Sequence, residues 1–266
     1  MNMDGYRSED QLKKQRFFLR LKIYAGLTIF SFIGIGVFYL LAISPIFKLK
    51  NVEVTGNESL LTQEILSELK SRMPNNLFTR ILGFRNYLVW SKNGPTKITA
   101  KQPLLAGISI DKDFWNQSVE ITVQERQKYG IWCFNNSDAC YWFDNGGVIF
   151  MPAPDTNGYL IIKIQDFLEK TPILGTKIID ERLTANFIKI IESLKNSDLR
   201  VKEFVIDHLL QELKTETQEG VKILFNLRFD PEFGISALKS LRGEVSFKNI
   251  EYIDLRVENR IYYKNR

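Results

Sequence analysis

"FKLKNVEVTGNESLLTQEILSEL", Phe47 to Leu69, begins where the longest uncharged stretch of the chain ends. It compresses a strand, a turn and a helix into a few more than twenty positions. Phe47 and Leu49 alternate with Lys48 and Lys50; then the phase slips by one, so that Val52 and Val54 alternate with Glu53 and Thr55. A period of two with one slip predicts a strand carrying a bulge near Lys50 and Asn51. Gly56-Asn57 ends it. Thr62 is placed to cap a helix, with Leu61 and Leu66 as the flanking apolar pair of a hydrophobic staple. Ile65, Leu66, Leu69 and Met73 then share one helix face, and Pro74 stops it.

Upstream, residues 23–47 contain no charged side chain. That run slightly exceeds the ~20 apolar residues that cross ~30 Å of hydrocarbon as a helix. The rival reading is a cleaved signal peptide, because Ala42-Ile43-Ser44 resembles a small-residue cleavage site; Pro45 after the cut and the length of the apolar run favour an uncleaved anchor. Six basic side chains (Arg7, Lys13, Lys14, Arg16, Arg20, Lys22) and three acidic ones precede it. By the positive-inside rule residues 1–22 are a cytoplasmic basic tail, residues 23–44 cross the lipid bilayer of the cell membrane, and the bulk of the chain lies outside the cytoplasm. The tail holds +3 of the net +5, leaving +2 for the remaining residues. No nucleic-acid surface is expected from so small a charge.

Downstream, the segment to Pro103 has apolar residues without a period; a short second helix is expected between Pro95 and Gln102. "LLAGISI" and "SVEITVQER" read as two strands, the second with Val119, Ile121 and Val123 on one face. The resulting order over residues 46–126 is β-α-α-β-β. Beyond it, Ile131–Phe134 and Cys140–Phe143 form a hairpin if Asn135 to Asp138 is the loop, which sets Cys133 opposite Cys140 as either a disulfide or two buried thiols. Asn145-Gly146 predicts a type I′ turn. Asp180 caps a helix with Leu183, Phe187, Ile190, Ile191 and Leu194 on one face, and Asp230-Pro231 starts another with Ile235, Leu238 and Leu241. Glu203–Ile206, Leu213–Thr217, Val221–Phe229 and Tyr252–Val257 read as strands of one mostly antiparallel sheet covered by these two helices. The whole is an α+β chain: anchor, small βα unit (46–126), β domain (127–258) and a C-terminal strand or tail (259–266).

"VEVTGN" with "LTQEI" after a single N-terminal anchor, then "VEITVQER" leading to "YGIW", resembles the POTRA domain of the bacterial cell-division family FtsQ/DivIB. "FDNGGVIF", "TPILGTKI" and "YIDLRVENRIYYK" match further family segments in order. The resemblance implies a non-enzymatic bitopic scaffold at the division septum, which links FtsB/DivIC-like and FtsL-like single-pass coiled-coil proteins and helps control septal peptidoglycan synthesis, with the septal synthase as a further partner. Other readings stay open: a different POTRA-bearing membrane protein for polypeptide export or chaperoning, and a membrane-tethered cell-wall enzyme or sensor. The residues favour no enzyme. There is no Gly-rich phosphate loop, HExxH or GxSxG, the single His208 cannot build a zinc site alone, and no cofactor or metal is expected. Asp111 with Asp113 and Asp180 with Glu181 fall at turn or cap positions where acids are common anyway.

"YIDLRVENRIYYKNR" alternates Tyr252, Asp254 and Arg256 with Ile253, Leu255 and Val257 close to the C-terminus, as a terminal edge strand open to a strand from another chain. The resemblance assigns the partner contact to Arg256, Val257, Glu258, Asn259 and Arg260, with Ile261, Tyr262 and Tyr263 as alternative apolar contacts.

Overall fold

The computed structural model describes residues 4–91, 102–135, 139–156, 158, 160–168, 172–197 and 199–266. Two compact units divide the chain: Met1–Pro95 with Ile108–Thr122, and Thr96–Gly107 with Val123–Arg266.

The first unit starts with α1 (Asp4–Phe38), which runs on into a π-helical turn, Tyr39–Ile43. Within this length, Lys13–Ile43 is long and apolar enough to cross a membrane, and none of its most apolar window is buried by protein. Helix continues through the basic flank because Lys, Arg, Gln and Leu are all good helix formers. Ser44 ends it, and its hydroxyl accepts from the Ile46 amide at the start of the short turn Pro45–Phe47.

Next come β1 (Asn51–Thr55), α2 (Thr62–Arg72), α3 (Leu77–Leu82), β2 (Leu105–Asp113) and β3 (Ser118–Glu125), in a sheet ordered β1-β3-β2. β1 lies parallel to β3, with Val52 opposite Val119 and Val54 opposite Ile121. This is the β-α-α-β-β order read from the sequence, with three local differences. The phase slip at Lys50 is not a bulge: the Leu49 amide donates to the Arg85 carbonyl at 2.8 Å and Lys48 bridges to Asn86, so the strand proper begins only at Asn51. Thr62 is the first helical residue rather than the cap; Leu61 takes that place and is 67% exposed, so no staple forms. The second helix is α3, capped reciprocally by Asn76 and Thr79. The helix expected between Pro95 and Gln102 falls almost entirely outside the described residues.

In the second unit a nine-stranded sheet is ordered β12-β11-β10-β9-β8-β7-β4-β5-β6. Its strands are β4 (Gly130–Phe134), β5 (Ala139–Phe143), β6 (Ile149–Ala153), β7 (Lys163–Asp166), β8 (Val201–Asp207), β9 (Glu212–Thr217), β10 (Lys222–Asn226), β11 (Ile250–Leu255) and β12 (Tyr262–Asn265). The sheet is mixed. α4 (Glu181–Lys195) connects β7 to its parallel neighbour β8, and α5 (Glu232–Glu244) connects β10 to its parallel neighbour β11, since a crossover helix returns the chain in the same direction. β7 also lies parallel to β4, while hairpins supply the antiparallel pairs.

α4 and α5 close one face. Phe187, Ile190, Ile191 and Leu194 from α4 and Leu238 and Leu241 from α5 join Trp132, Phe143, Ile164, Leu213, Ile223 and Ile253 in a single core. Trp132, Phe143 and Phe187 meet ring to ring with centroids 5.4 to 6.3 Å apart. On the opposite face Ile131 packs with Cys133 and Cys140, which are joined in a disulfide across β4 and β5.

The turn after β5 is not type I′. Asp144 Oδ1 accepts the amides of Gly146 and Val148, both at 2.9 Å, and the left-handed residue is Gly147 (φ 74°). An aspartate that satisfies two loop amides favours this three-residue loop over the two-residue one. Asp230 caps α5 through its side chain, accepting from the Glu232 amide at 2.8 Å, and Pro231 stands at the cap rather than inside the helix.

Candidate functional site

β11 is not the edge of the sheet. β12 folds back on it antiparallel, with Ile253 opposite Tyr263 and Asp254 opposite Tyr262, and β12 itself is the edge. Opposed residues share a face. Tyr262 and Lys264 therefore stand on the open face with Asp254 and Tyr252, and Tyr263 on the helix-covered face with Ile253. All four β12 residues are exposed. On its outer side no other described strand pairs with β12.

Residues 256–261 are the connection between the two strands, not a ladder. Arg260 donates its amide to Val257 O at 3.2 Å, and Asn259 is left-handed (φ 56°). Asn tolerates that region better than other residues with a side chain. Val257 is half exposed beside a cleft of about 20 Å³ that it borders with Phe229, Phe233 and Gly234, too small to hold a ligand.

Arg256 is committed within the chain. Its guanidinium grips Asp254 in a fork, Nε to Oδ1 at 2.8 Å and Nη2 to Oδ2 at 2.6 Å, and Nη1 reaches both oxygens of Glu212 at 3.3 Å. The bonds from Arg256 hold the Asp254 carboxyl below its usual range, and those from Asp254 raise the guanidinium further. Asp254-Leu255-Arg256 thus clamps the end of β11 and fixes where the connection leaves the sheet. Lys264 similarly ties β12 to Glu251 at 2.7 Å, which lowers the Glu251 carboxyl.

The structure therefore separates the eight residues singled out in the sequence. Arg256 positions the hairpin; Val257, Glu258, Asn259, Arg260 and Ile261 form its bend; only Tyr262 and Tyr263 lie on the edge strand, which Lys264 and Asn265 complete. Asp254-x-Arg256 was open to reading as a same-face pair in a strand, but its third member Glu212, 44 residues from Arg256, left no signal.

His208, directly after the end of β8 and partly exposed, contacts Asp166. Nε2 lies 2.9 Å from Asp166 Oδ2, which also accepts from Trp132 Nε1 at 2.8 Å, while Oδ1 accepts from the Leu168 amide at 2.9 Å. Burial alone would raise the Asp166 carboxyl; the bonds from His208 and Trp132 outweigh it and the net shift is downward. Asp166 is fully buried, so its carboxylate is sealed into packing. Cys133, Cys140 and Asp155 bring their ligand atoms within 4.8 Å of one another, but the disulfide occupies both sulfurs and Asp155 pairs with Lys163 at 2.6 Å.

No family model matches the chain. It is 25% identical over 168 residues to the cell division protein DivIB of Clostridium acetobutylicum, an alignment that covers 62% of each chain. The match thus spans less than two thirds of that relative. Together with the apolar N-terminal helix and the α+β order behind it, this likeness is consistent with the FtsQ/DivIB family of cell-division proteins.

Proposed function

We propose that the chain is a non-enzymatic, single-pass scaffold of the division machinery. Its tail (1–22) is cytoplasmic and both folded units, the POTRA-type one (46–126) and the β domain (127–258), lie outside the cell membrane at the septum. Its partners are FtsB/DivIC-like and FtsL-like single-pass coiled-coil proteins and, through them, the septal peptidoglycan synthase.

The observation that carries this reading is the open outer side of β12. A strand of exposed residues at the end of a sheet offers unpaired amides and carbonyls to a strand of another chain. Its residues are Tyr262, Tyr263, Lys264 and Asn265, and the clamp at Arg256 holds their register. The opposite edge, β6, carries Pro152, which lacks an amide and so makes a poorer template.

Photo-crosslinking side chains placed in cells at Tyr262 and Asn265, with Met151 on β6 as control, test the proposal. Capture of a small single-pass division protein from the β12 positions and not from Met151 is expected. Capture from Met151 alone, or activity of a cytoplasm-only reporter fused after Arg266, overturns it.

A further inference from the structure

Ile23 to Ile43 is 21 residues, about 31 Å of helix at 1.5 Å per residue, which matches the ~30 Å hydrocarbon thickness. Ser44 to Phe47 therefore leaves the bilayer at the level of the headgroups. No flexible linker follows. Asn86, only 2% exposed, donates from Nδ2 to Leu41 O at 2.7 Å, and Gln117 donates from Nε2 to Pro45 O at 2.9 Å and Ile46 O at 3.0 Å. Two separate loops of the membrane-proximal unit are thus held within a side chain's length of the exit point.

What those loops carry is unusual for a water-facing surface. Just before Asn86, α3 abuts the last turn of the anchor with Leu77 74%, Phe78 49% and Ile81 47% exposed. Two residues before Gln117, at the tip between β2 and β3, Trp115 is 89% exposed. Isolated apolar side chains on a surface need no explanation, but here four large ones surround one point where a transmembrane helix emerges. Arg80 and Arg85, both exposed, stand among them. The tip is fixed in shape: Asp113 Oδ1 accepts from the amides of Trp115 and Asn116 at 2.9 and 3.1 Å, and the Phe114 ring behind it packs on Phe47 and Tyr87 with centroids 6.0 and 5.4 Å away.

We propose that α3 and the β2–β3 tip form a lipid-binding collar that seats the membrane-proximal unit on the bilayer, with Leu77, Phe78, Ile81 and Trp115 in the interface and Arg80 and Arg85 on anionic phosphates. The occupant is lipid because the collar is continuous with a segment already in the bilayer. Its composition of tryptophan, aliphatic side chains and arginine is also the one that partitions into headgroup regions. This surface is separate from the β12 edge; it rests on the membrane-anchor part of the proposed function and not on the partner assigned to that edge.

The test uses the full chain in nanodiscs of phosphatidylcholine and phosphatidylglycerol, with and without acyl chains brominated near the headgroup. In a Trp142→Phe background, tryptophan quenching by brominated lipid should fall at least about twofold in Trp115→Phe, because the other two tryptophans, Trp90 and Trp132, are buried. Equal quenching in the two proteins, or none in either, overturns the proposal. A nitroxide on Leu77→Cys gives a second reading: greater accessibility to oxygen than to a water-soluble nickel chelate supports lipid contact. The reverse order, or protection from both reagents as a covering protein would give, refutes it.

Discussion

Asp166→Ala removes the acceptor at the centre of the large unit, and the structure sets the size of the loss. Trp132 is completely buried, so its indole N–H loses its partner with no water to replace it, at about 1–3 kcal/mol. The Leu168 amide, partly buried, loses a second bond of about 1 kcal/mol. His208 keeps about a quarter of its side-chain surface in solvent and is rehydrated. The expected sum is about 2–4 kcal/mol, or roughly 10 °C in Tm for a unit of this size. Asp166→Asn retains an acceptor for the indole and should cost no more than about 1–2 kcal/mol. Melting of the full chain in detergent, followed by near-ultraviolet circular dichroism of the tryptophans, separates the two. The pH dependence adds a sign. Asp166 titrates lower in the folded protein than its usual value, so the unfolded state binds more protons in that window. Its contribution is present above the unfolded carboxyl pKa of ~3.9 and is lost as pH falls through the lower folded value. Asp166→Asn should therefore flatten the acid side of the stability profile and leave the neutral region level. Equal Tm values for the Ala and Asn variants would refute the reasoning, because the cost would then not reside in unpaired donors.

Gly147→Ala puts a methyl 2.6 Å from Ile179 Cγ2 at a left-handed position, and a loss of about 1–3 kcal/mol in the same melt is expected. Reduction of Cys133–Cys140, or Cys133→Ser with Cys140→Ser, opens a loop of seven-residue separation and should lower stability by about 2 kcal/mol, read as a Tm difference with and without reductant. Asn259→Gly is expected to leave the Tm within about 1 °C, whereas Asn259→Pro cannot adopt the required φ and should both lower the Tm and weaken partner capture. A proline there consequently does not isolate edge pairing; N-methylation of a β12 amide does.

Strict period was what made parts of this chain legible. The Val119, Ile121 and Val123 alternation and the Phe187 to Leu194 stripe both land on buried faces, because each element packs one side on a core. α3 escaped because its six residues leave Leu77, Phe78 and Ile81 exposed, so there is no buried stripe to read; its signal was the Asn76 and Thr79 capping pair. β7 escaped because a four-residue strand flanked by parallel neighbours shows no alternation. The sequence alone makes the strand over Tyr252–Val257 the sheet edge and leaves residues 259–266 open as strand or tail, since the bend between β11 and β12 depends on the backbone of Asn259, not on an apolar pattern. The contacts of Asp166, Glu212, Asn86 and Gln117 join residues more than thirty positions apart, and no local rule reaches that far.

Because α1 continues through the π-helical turn and its exit is bonded on two sides, the anchor and the unit above it share a rotational phase. In an α-helix one residue corresponds to ~100° about the axis and 1.5 Å along it. A single residue inserted between Ile23 and Phe38 would re-aim the outer unit by about a quarter turn while scarcely lifting it, and seven inserted residues would restore the heading. The compass bearing of the membrane-proximal unit relative to the N-terminal tail is thus written in the length of a segment whose most apolar window no protein buries, and insertions there would act as steering changes.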